Sequence, residues 1–250
     1  DPKLSIVEED KNAALLFDTY NEKVETLLSI KIGTVEDNLC LSRIPGDERS
    51  KICTPQETLK NGSDIATLVA HAFREMAKAS DIAIQNGGGV RTDISSGDIT
   101  MGDAYKLLPF ANTLVEMDMS GAEIKLVLEE AIEYALQPDG SDGAFPYAAG
   151  LRWHVDSTRA SGNRLSKMEY KGRSDADWVP LNMEKMYRIV TNNYIAAGRD
   201  GYLSFKTVKD DGRFEDTYLD YAQSFVDYVK DRGSIAKLPF SEYSTQSFVK

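Results

Sequence analysis

The chain has 250 residues, of which 42% are hydrophobic and 28% charged, and its net charge is −11. That composition excludes a disordered or collagen-like chain, and a chain of this length buries roughly 70–75% of its unfolded surface, enough for one large domain or two small ones. The acidic balance argues against a nucleic-acid polymer as partner, because a phosphate backbone calls for a net basic surface, but it leaves room for a confined cationic pocket.

Residues 5–30 are expected to form one long helix ending near Gly33, with Val7, Ala14, Leu15, Tyr20, Val24, Leu27 and Leu28 as a loose apolar stripe. No nearby partner is evident for it, and such a solvated helix often joins domains. Residues 34–61 are polar and read as irregular. A second helix is expected over 64–79, where Ile65, Leu68, Val69, Ala72, Phe73 and Met76 follow helical spacing, with His71 beside that stripe as a structural histidine. A short strand, 81–85, runs into Asn86-Gly87-Gly88-Gly89-Val90-Arg91, and Thr92–Ile99 looks turn-like. A short helix over 102–108 stops at Pro109. Residues 114–119 alternate like a strand, with Val115, Met117 and Met119 on one face. Ser120-Gly121-Ala122-Glu123 is a capping box opening a helix that ends at Pro138-Asp139-Gly140. Strands follow at 151–155, 165–170 and 187–191, then a loop at 192–202 and a last helix at 218–230. The hairpins break strict βαβ alternation, so the expected class is α+β, with mixed β-sheets and interleaved helices. No run of about 18 apolar residues marks a membrane span, and Asp1-Pro2-Lys3 lacks signal-peptide character.

The rare residues narrow the chemistry. With two histidines, His71 and His154, and two cysteines, Cys40 and Cys53, no Cys/His zinc cluster can be assembled, and neither HExxH nor GxxxxGK[ST] occurs. Cys40 and Cys53 flank the turn Pro45-Gly46-Asp47. They either close a loop as a disulfide, which is the expected reading and implies an oxidising compartment, or remain two reduced thiols.

Four segments carry candidate chemistry. In Asn86–Arg91 three glycines after a strand leave backbone N–H groups open to a ligand, and Arg91 adds donors suited to phosphate or carboxylate; against this stands a plain glycine turn. The spacing is not that of a Rossmann loop. Phe110, just after Pro109, sits where an aromatic stacks on a flat ring or packs into the core. In Asn192–Tyr202, Asp200 offers a carboxylate to a pair of vicinal hydroxyls, or serves its own backbone in a turn. Gly143, within Ser141–Tyr147, permits close approach or simply turns the chain. Arg43, Arg49 and Lys51 are the basic candidates upstream.

Asn-Gly-Gly-Gly-Val-Arg (86–91), Leu-Leu-Pro-Phe (107–110), the helix from Ser120, Gly-Ala-Phe-Pro (143–146) and Asn-Asn-Tyr-x₄-Arg-Asp-Gly-Tyr (192–202) occur in that order. As a set they resemble the C-terminal substrate-binding domain of the 5′-nucleotidase/UDP-sugar hydrolase family. The resemblance implies that fold, with residues 1–33 as an interdomain linker helix and 34–250 as a nucleotide-binding domain. It matches Phe110 and Tyr194 to two aromatics that sandwich a base and Asp200 to a ribose-binding aspartate. Arg91 matches an arginine at the phosphate, Asn86 a base- or ribose-contacting asparagine, and Gly88 and Gly143 glycines of the pocket. Arg43 and Arg49 are candidates for further phosphate-binding arginines. The sequence departs from the family pattern in carrying Arg199 where a second glycine is usual, and Tyr194 in place of phenylalanine. The family's D-x-H and G-N-H-[DE] metal signatures are absent. The chain is therefore expected to be the substrate-gripping part of a secreted or periplasmic enzyme, inactive by itself. Hydrolysis of nucleoside phosphates, or of NAD or UDP-sugars, would use two divalent metals in an N-terminal metallophosphoesterase domain that rotates relative to this one about the long helix. The Arg43-Ile44-Pro45-Gly46 segment is similar to that of broadly acting bacterial members, NAD nucleotidases included. The alternative is a stand-alone nucleoside- or nucleotide-binding module without catalysis.

Overall fold

The computed structural model describes residues 7–250. Residues 1–6, and with them the expected helix start at residue 5, lie outside the described residues. The helices are α1 (Lys11–Leu28), α2 (Pro55–Thr58), α3 (Asp64–Met76), α4 (Met101–Leu107), α5 (Gly121–Leu136), α6 (Asn193–Ala196), α7 (Leu203–Asp210) and α8 (Tyr221–Arg232). The strands are β1 (Lys31–Val35), β2 (Ile82–Asn86), β3 (Gly97–Thr100), β4 (Thr113–Ser120), β5 (Pro146–Ala149), β6 (Leu151–Asp156), β7 (Leu165–Tyr170), β8 (Val179–Pro180), β9 (Met186–Asn192), β10 (Phe214–Asp220), β11 (Ser234–Ile235) and β12 (Thr245–Val249).

The strands form three sheets. A five-stranded sheet runs β10-β4-β9-β2-β5, a four-stranded one β12-β6-β7-β8, and a three-stranded one β11-β1-β3. Each mixes the two senses: β2 is parallel to β9, β12 to β6 and β1 to β11, while the other pairs are antiparallel. The mixed α+β architecture expected from the interleaved pattern is the one observed.

Helix α3 lies across β2 and β5 and packs on α8, while α5 packs against α7 and β4. Both long helices start where the sequence places a cap: Ser63 Oγ accepts the Ala66 N–H, and Ser120 and Glu123 exchange side-chain and backbone bonds. The apolar stripe Ile65, Leu68, Val69, Ala72 and Phe73 is fully buried, as its spacing requires.

Several expectations are corrected. Helix α1 starts at Lys11, because Asp10 Oδ1 accepts the Asn12 and Ala13 N–H groups and so fixes the first turn there. It ends at Leu28, before a strand rather than near Gly33. Residues 34–61 and 92–99 are not wholly irregular. They contribute the end of β1, α2 under a Thr54/Glu57 capping box, and β3, which pairs with β1. Helix α3 stops at Met76, where Ala77 leaves helical geometry. Strand β4 is buried on both faces: β10 and β9 pair with its edges, and α5, α6 and α7 pack against it. The off-pattern Glu116 is tolerated there because Arg188 Nη2 (2.9 Å) and Ser80 Oγ (2.8 Å) both donate to it. The stretch 192–202 contains α6 and a short turn of helix at 199–201. The last helix begins at Tyr221 instead of Tyr218, because 214–220 pairs with β4 as β10. Its acidic sequence, Phe-Glu-Asp-Thr-Tyr-Leu-Asp, has weak strand propensity, so the edge pairing decides its state.

Candidate nucleotide-binding cleft

The C-terminal end of β2 is the floor of the site. After Asn86 the chain turns through Gly87–Gly89, and Val90 N–H closes the turn on Gly87 O (3.2 Å). Gly88 lies directly against Gly143 on the loop 141–145. A Cβ built on Gly88 would sit 3.0 Å from Gly143 Cα, and one on Gly143 would sit 3.1 Å from Gly88 Cα. Any side chain at either position would wedge the two loops apart, so close approach explains both glycines. Gly89 is equally restricted, because its Cβ would fall 2.2 Å from Gln85 Nε2.

Beneath these loops runs a buried polar network. Gln85 Nε2 donates to the Tyr221 hydroxyl (3.0 Å), which donates to Gly89 O (2.8 Å). Asn192 Nδ2 donates to Gln85 Oε1 (2.9 Å) and Asn86 Oδ1 (3.1 Å), while Asn192 Oδ1 caps α6 through the Ile195 N–H (3.1 Å). Asn86 Nδ2 then donates to Asp200 Oδ2 (3.0 Å), and the Tyr194 hydroxyl donates to Asp200 Oδ1 (3.0 Å). Asp200 is held in the left-handed region (φ 53°) between Gly198 and Gly201, which share that conformation. The usual second glycine of the family pattern is thus not needed at Arg199, since the positive φ falls on its neighbours. Burial, then the hydrogen bond to Asp200 and its charge, push the Tyr194 hydroxyl's pKa up, so it stays a donor at neutral pH.

Above this floor is a cleft of about 350 Å³ lined by Arg43, Asn86, Gly88, Arg91, Phe110, Gly143, Tyr194 and Asp200, all named from sequence, together with Gly89, Asn112 and Ser141. Phe110 and Tyr194 are 43% and 44% exposed, so neither took the core position that is the usual fate of an aromatic. Arg91 donates to Gly88 O (3.1 Å) and places its guanidinium 5.7 Å from the Phe110 ring centroid.

The remaining arginines come from the loop closed by the Cys40–Cys53 disulfide, which is formed. Two carboxylates shape that loop from within and from below. Asp47 accepts the N–H groups of Arg43 (2.8 Å) and Arg49 (3.2 Å). Asp93 accepts Leu41 N–H (2.5 Å), Ser50 Oγ–H (2.7 Å) and Lys51 N–H (2.8 Å). Arg43 Nη1 and Arg49 Nη2 both donate to Asp142, at 2.6 and 2.8 Å. Burial of Asp142 alone would raise its pKa, but the hydrogen bonds from Arg49 and Arg43 outweigh it and hold the carboxyl below its usual value. Arg49 therefore stands behind Asp142 and outside the cleft lining, whereas Arg43 reaches the cleft. Lys51 takes no part in the lining.

Sequence reasoning missed Asn112, Ser141, Asp93 and Asp142. Asn112 follows Phe110 by two positions and was within reach of the same loop argument. The two aspartates carry no local signal.

The metal donors are scant. Among the described residues, the one group of ligand atoms at metal spacing is Cys40, Cys53 and Glu57, and its two sulfurs are bonded to each other. His71 Nε2 meets Glu242 O (3.2 Å) and His154 Nδ1 meets Ser247 Oγ (2.6 Å), so each imidazole already has a partner. These residues do not fit a two-metal phosphoesterase centre. No helix among the described residues is long and apolar enough to cross a membrane.

The family model described as 5′-nucleotidase, C-terminal domain, matches residues 31–209. The chain is 36% identical over 250 residues to the NAD 5′-nucleotidase of Haemophilus influenzae, covering 99% of this chain and 40% of that protein. It is 34% identical to a probable 5′-nucleotidase of Treponema pallidum, covering 92% and 38%. Among solved structures, the H. influenzae NAD nucleotidase superposes with a TM-score of 0.79 at 33% identity, over 98% of this chain and 42% of the other. A 5′-nucleotidase precursor from Thermus thermophilus gives 0.76 at 31%, over 97% and 44%. The chain thus spans about two fifths of the length of these relatives. Its motifs, its three mixed sheets and these likenesses lead to one conclusion: the chain belongs to the 5′-nucleotidase family and matches that family's C-terminal domain.

Proposed function

We propose that the cleft binds the nucleoside end of a nucleotide and presents its phosphates to a metallophosphoesterase domain that precedes α1 in the parent enzyme. The observation that carries this reading is the convergence, in one cleft, of two half-exposed aromatics, a carboxylate locked from below, and two arginines. Phe110 and Tyr194 supply π-faces for a base, a contact worth about 1–3 kcal/mol per ring by analogy with base stacking. Asp200 has two of its roughly four acceptor sites engaged by Asn86 and Tyr194, which leaves the others for the vicinal hydroxyls of a ribose. Arg91 and Arg43 answer the phosphates through charge-assisted bonds. Asn112 brings an amide beside Phe110, suited to a base edge.

In this reading α1 is the interdomain connection and the body from β1 onward is the nucleotide-binding domain. Phosphate ester hydrolysis by two divalent metals belongs to the preceding domain, and NAD, nucleoside monophosphates and UDP-sugars are the substrate classes in view. The disulfide supports a periplasmic or extracellular setting, where such bonds persist.

Calorimetry of this chain with adenosine and AMP tests the reading. Binding of both without phosphate release, and hydrolysis once the preceding domain is joined, are the expected results. No adenosine binding at millimolar concentration sinks the nucleoside assignment. Binding with no hydrolysis in the joined protein favours a binding module without catalysis.

A further inference from the structure

Between the two arginines of the disulfide-closed loop sits Asp142, at the edge of the cleft that its neighbours Ser141 and Gly143 line. One oxygen accepts from Arg43 Nη1 (2.6 Å) and the other from Arg49 Nη2 (2.8 Å), so each guanidinium has already spent an amino group on a resident carboxylate. The Asp142 side chain is 37% exposed, and both its neighbours, Ser141 and Gly143, line the cleft. Arg43 is the more buried arginine, at 12%, and its Nε is buried with no acceptor among the described residues. The cleft lining itself carries two arginines, Arg43 and Arg91, and one carboxylate, Asp200, while Asp142 and Arg49 lie outside it.

From this geometry we propose that Asp142 is a specificity-determining residue, which limits the negative charge the cleft accepts per phosphate. The inference rests on the nucleotide reading above. A terminal phosphate monoester carries about −1.5 to −2 at neutral pH, whereas each phosphate of a diester carries one charge. Beside Asp142 the second charge of a monoester meets a fixed like charge a few ångströms away. A dinucleotide's pyrophosphate bridge carries one charge on each phosphate, so it places one charge at a time against the arginines and avoids most of that repulsion. Asp142 thereby shifts preference from monoesters toward pyrophosphate-bridged dinucleotides without touching the base or ribose. The same carboxylate also keeps Arg43 and Arg49 from repelling each other out of position, so its removal sets the two effects in opposition and the measurement reads which dominates.

The test is calorimetry of the full chain with adenosine, AMP and NAD for wild type, Asp142→Asn and Asp142→Glu. Asp142→Asn should tighten AMP by about tenfold, the scale of one unit charge at several ångströms in a partly solvated site. Adenosine should stay within about twofold, NAD should gain less than AMP, and the AMP gain should shrink as salt is raised. Asp142→Glu should keep the wild-type AMP-to-adenosine ratio. An unchanged ratio in Asp142→Asn, a weakening of AMP, or an equal gain for NAD overturns the proposal. If Asp142→Asn fails to fold, Arg49→Gln serves instead. It leaves Asp142 less compensated and should weaken AMP relative to adenosine by about tenfold, and an unchanged ratio overturns the proposal equally. Wild-type protein that binds no adenosine would mark failure of the nucleoside reading itself, a result separate from any change in ratio.

Discussion

Two regions of this molecule expose large apolar side chains, and they do so for different reasons. In the cleft, Tyr194 stands on α6, whose first turn Asn192 caps, and Phe110 on a turn tied down where Tyr221 N–H donates to Asn112 O (3.0 Å) and Arg91 N–H to Leu107 O (3.0 Å). Along α1, Leu15, Leu16, Phe17, Tyr20, Val24 and Leu27 are all exposed, and no residue of the helix is buried. The first pattern is what a rigid ligand platform needs, because ordering costs are met before the ligand arrives. The second is an amphipathic helix held mainly by its own hydrogen bonds and by its C-terminal end against α4. Exposure alone does not mark a binding site; the distinguishing feature is whether the exposed group is anchored by buried bonds that nothing else in the fold requires.

Substitutions on the two sides separate these readings. The largest effect is expected from joint Cys40→Ser and Cys53→Ser replacement. Opening the loop that carries Arg43 and Arg49 should lower stability by about 3 kcal/mol in urea unfolding and weaken AMP more than adenosine. Equal loss for both ligands would mean that the loop does not serve the phosphates. Next comes Asn192→Ala, which orphans a buried amide, a buried acceptor and the α6 cap, and should cost about 2 kcal/mol while also loosening adenosine. A stability loss with adenosine affinity intact would reduce the network to ordinary core structure. Phe110→Ala and Tyr194→Ala should each weaken adenosine by at least about tenfold, near 1.4 kcal/mol, with little change in the unfolding midpoint because both rings are half-exposed. Unchanged affinity in both removes the base-stacking assignment. The smallest effect belongs to the helix: Leu16→Glu should stay within about 0.5 kcal/mol in this chain and leave adenosine binding untouched. A clear destabilisation there would show that α1 is tied to the body more tightly than its exposure implies.

The helices that bury a stripe were legible because periodicity and capping are local: Ile65 to Phe73 and the Ser120/Glu123 box each lie within a few turns. The last helix is expected from Tyr218, yet residues 218–220 complete β10, because only β4 at its side makes them a strand. Strand β4 reads as one-faced for the complementary reason: its full burial depends on α6 and α7, elements far along the chain.

By itself the sequence named eight of the residues that line the cleft: each segment had an ordinary alternative, and it was their order as a set, through the family resemblance, that singled them out. It also made the Cys40–Cys53 closure the expected reading. Tertiary structure alone decided which charges those residues meet. Asp93 and Asp142 look like any surface carboxylate in a chain of net charge −11, yet one organises the arginine loop and the other stands between its arginines. A hydrogen bond between positions 99 residues apart leaves no trace in local composition, because it forms only after loops from separate sheets have been brought within 3 Å.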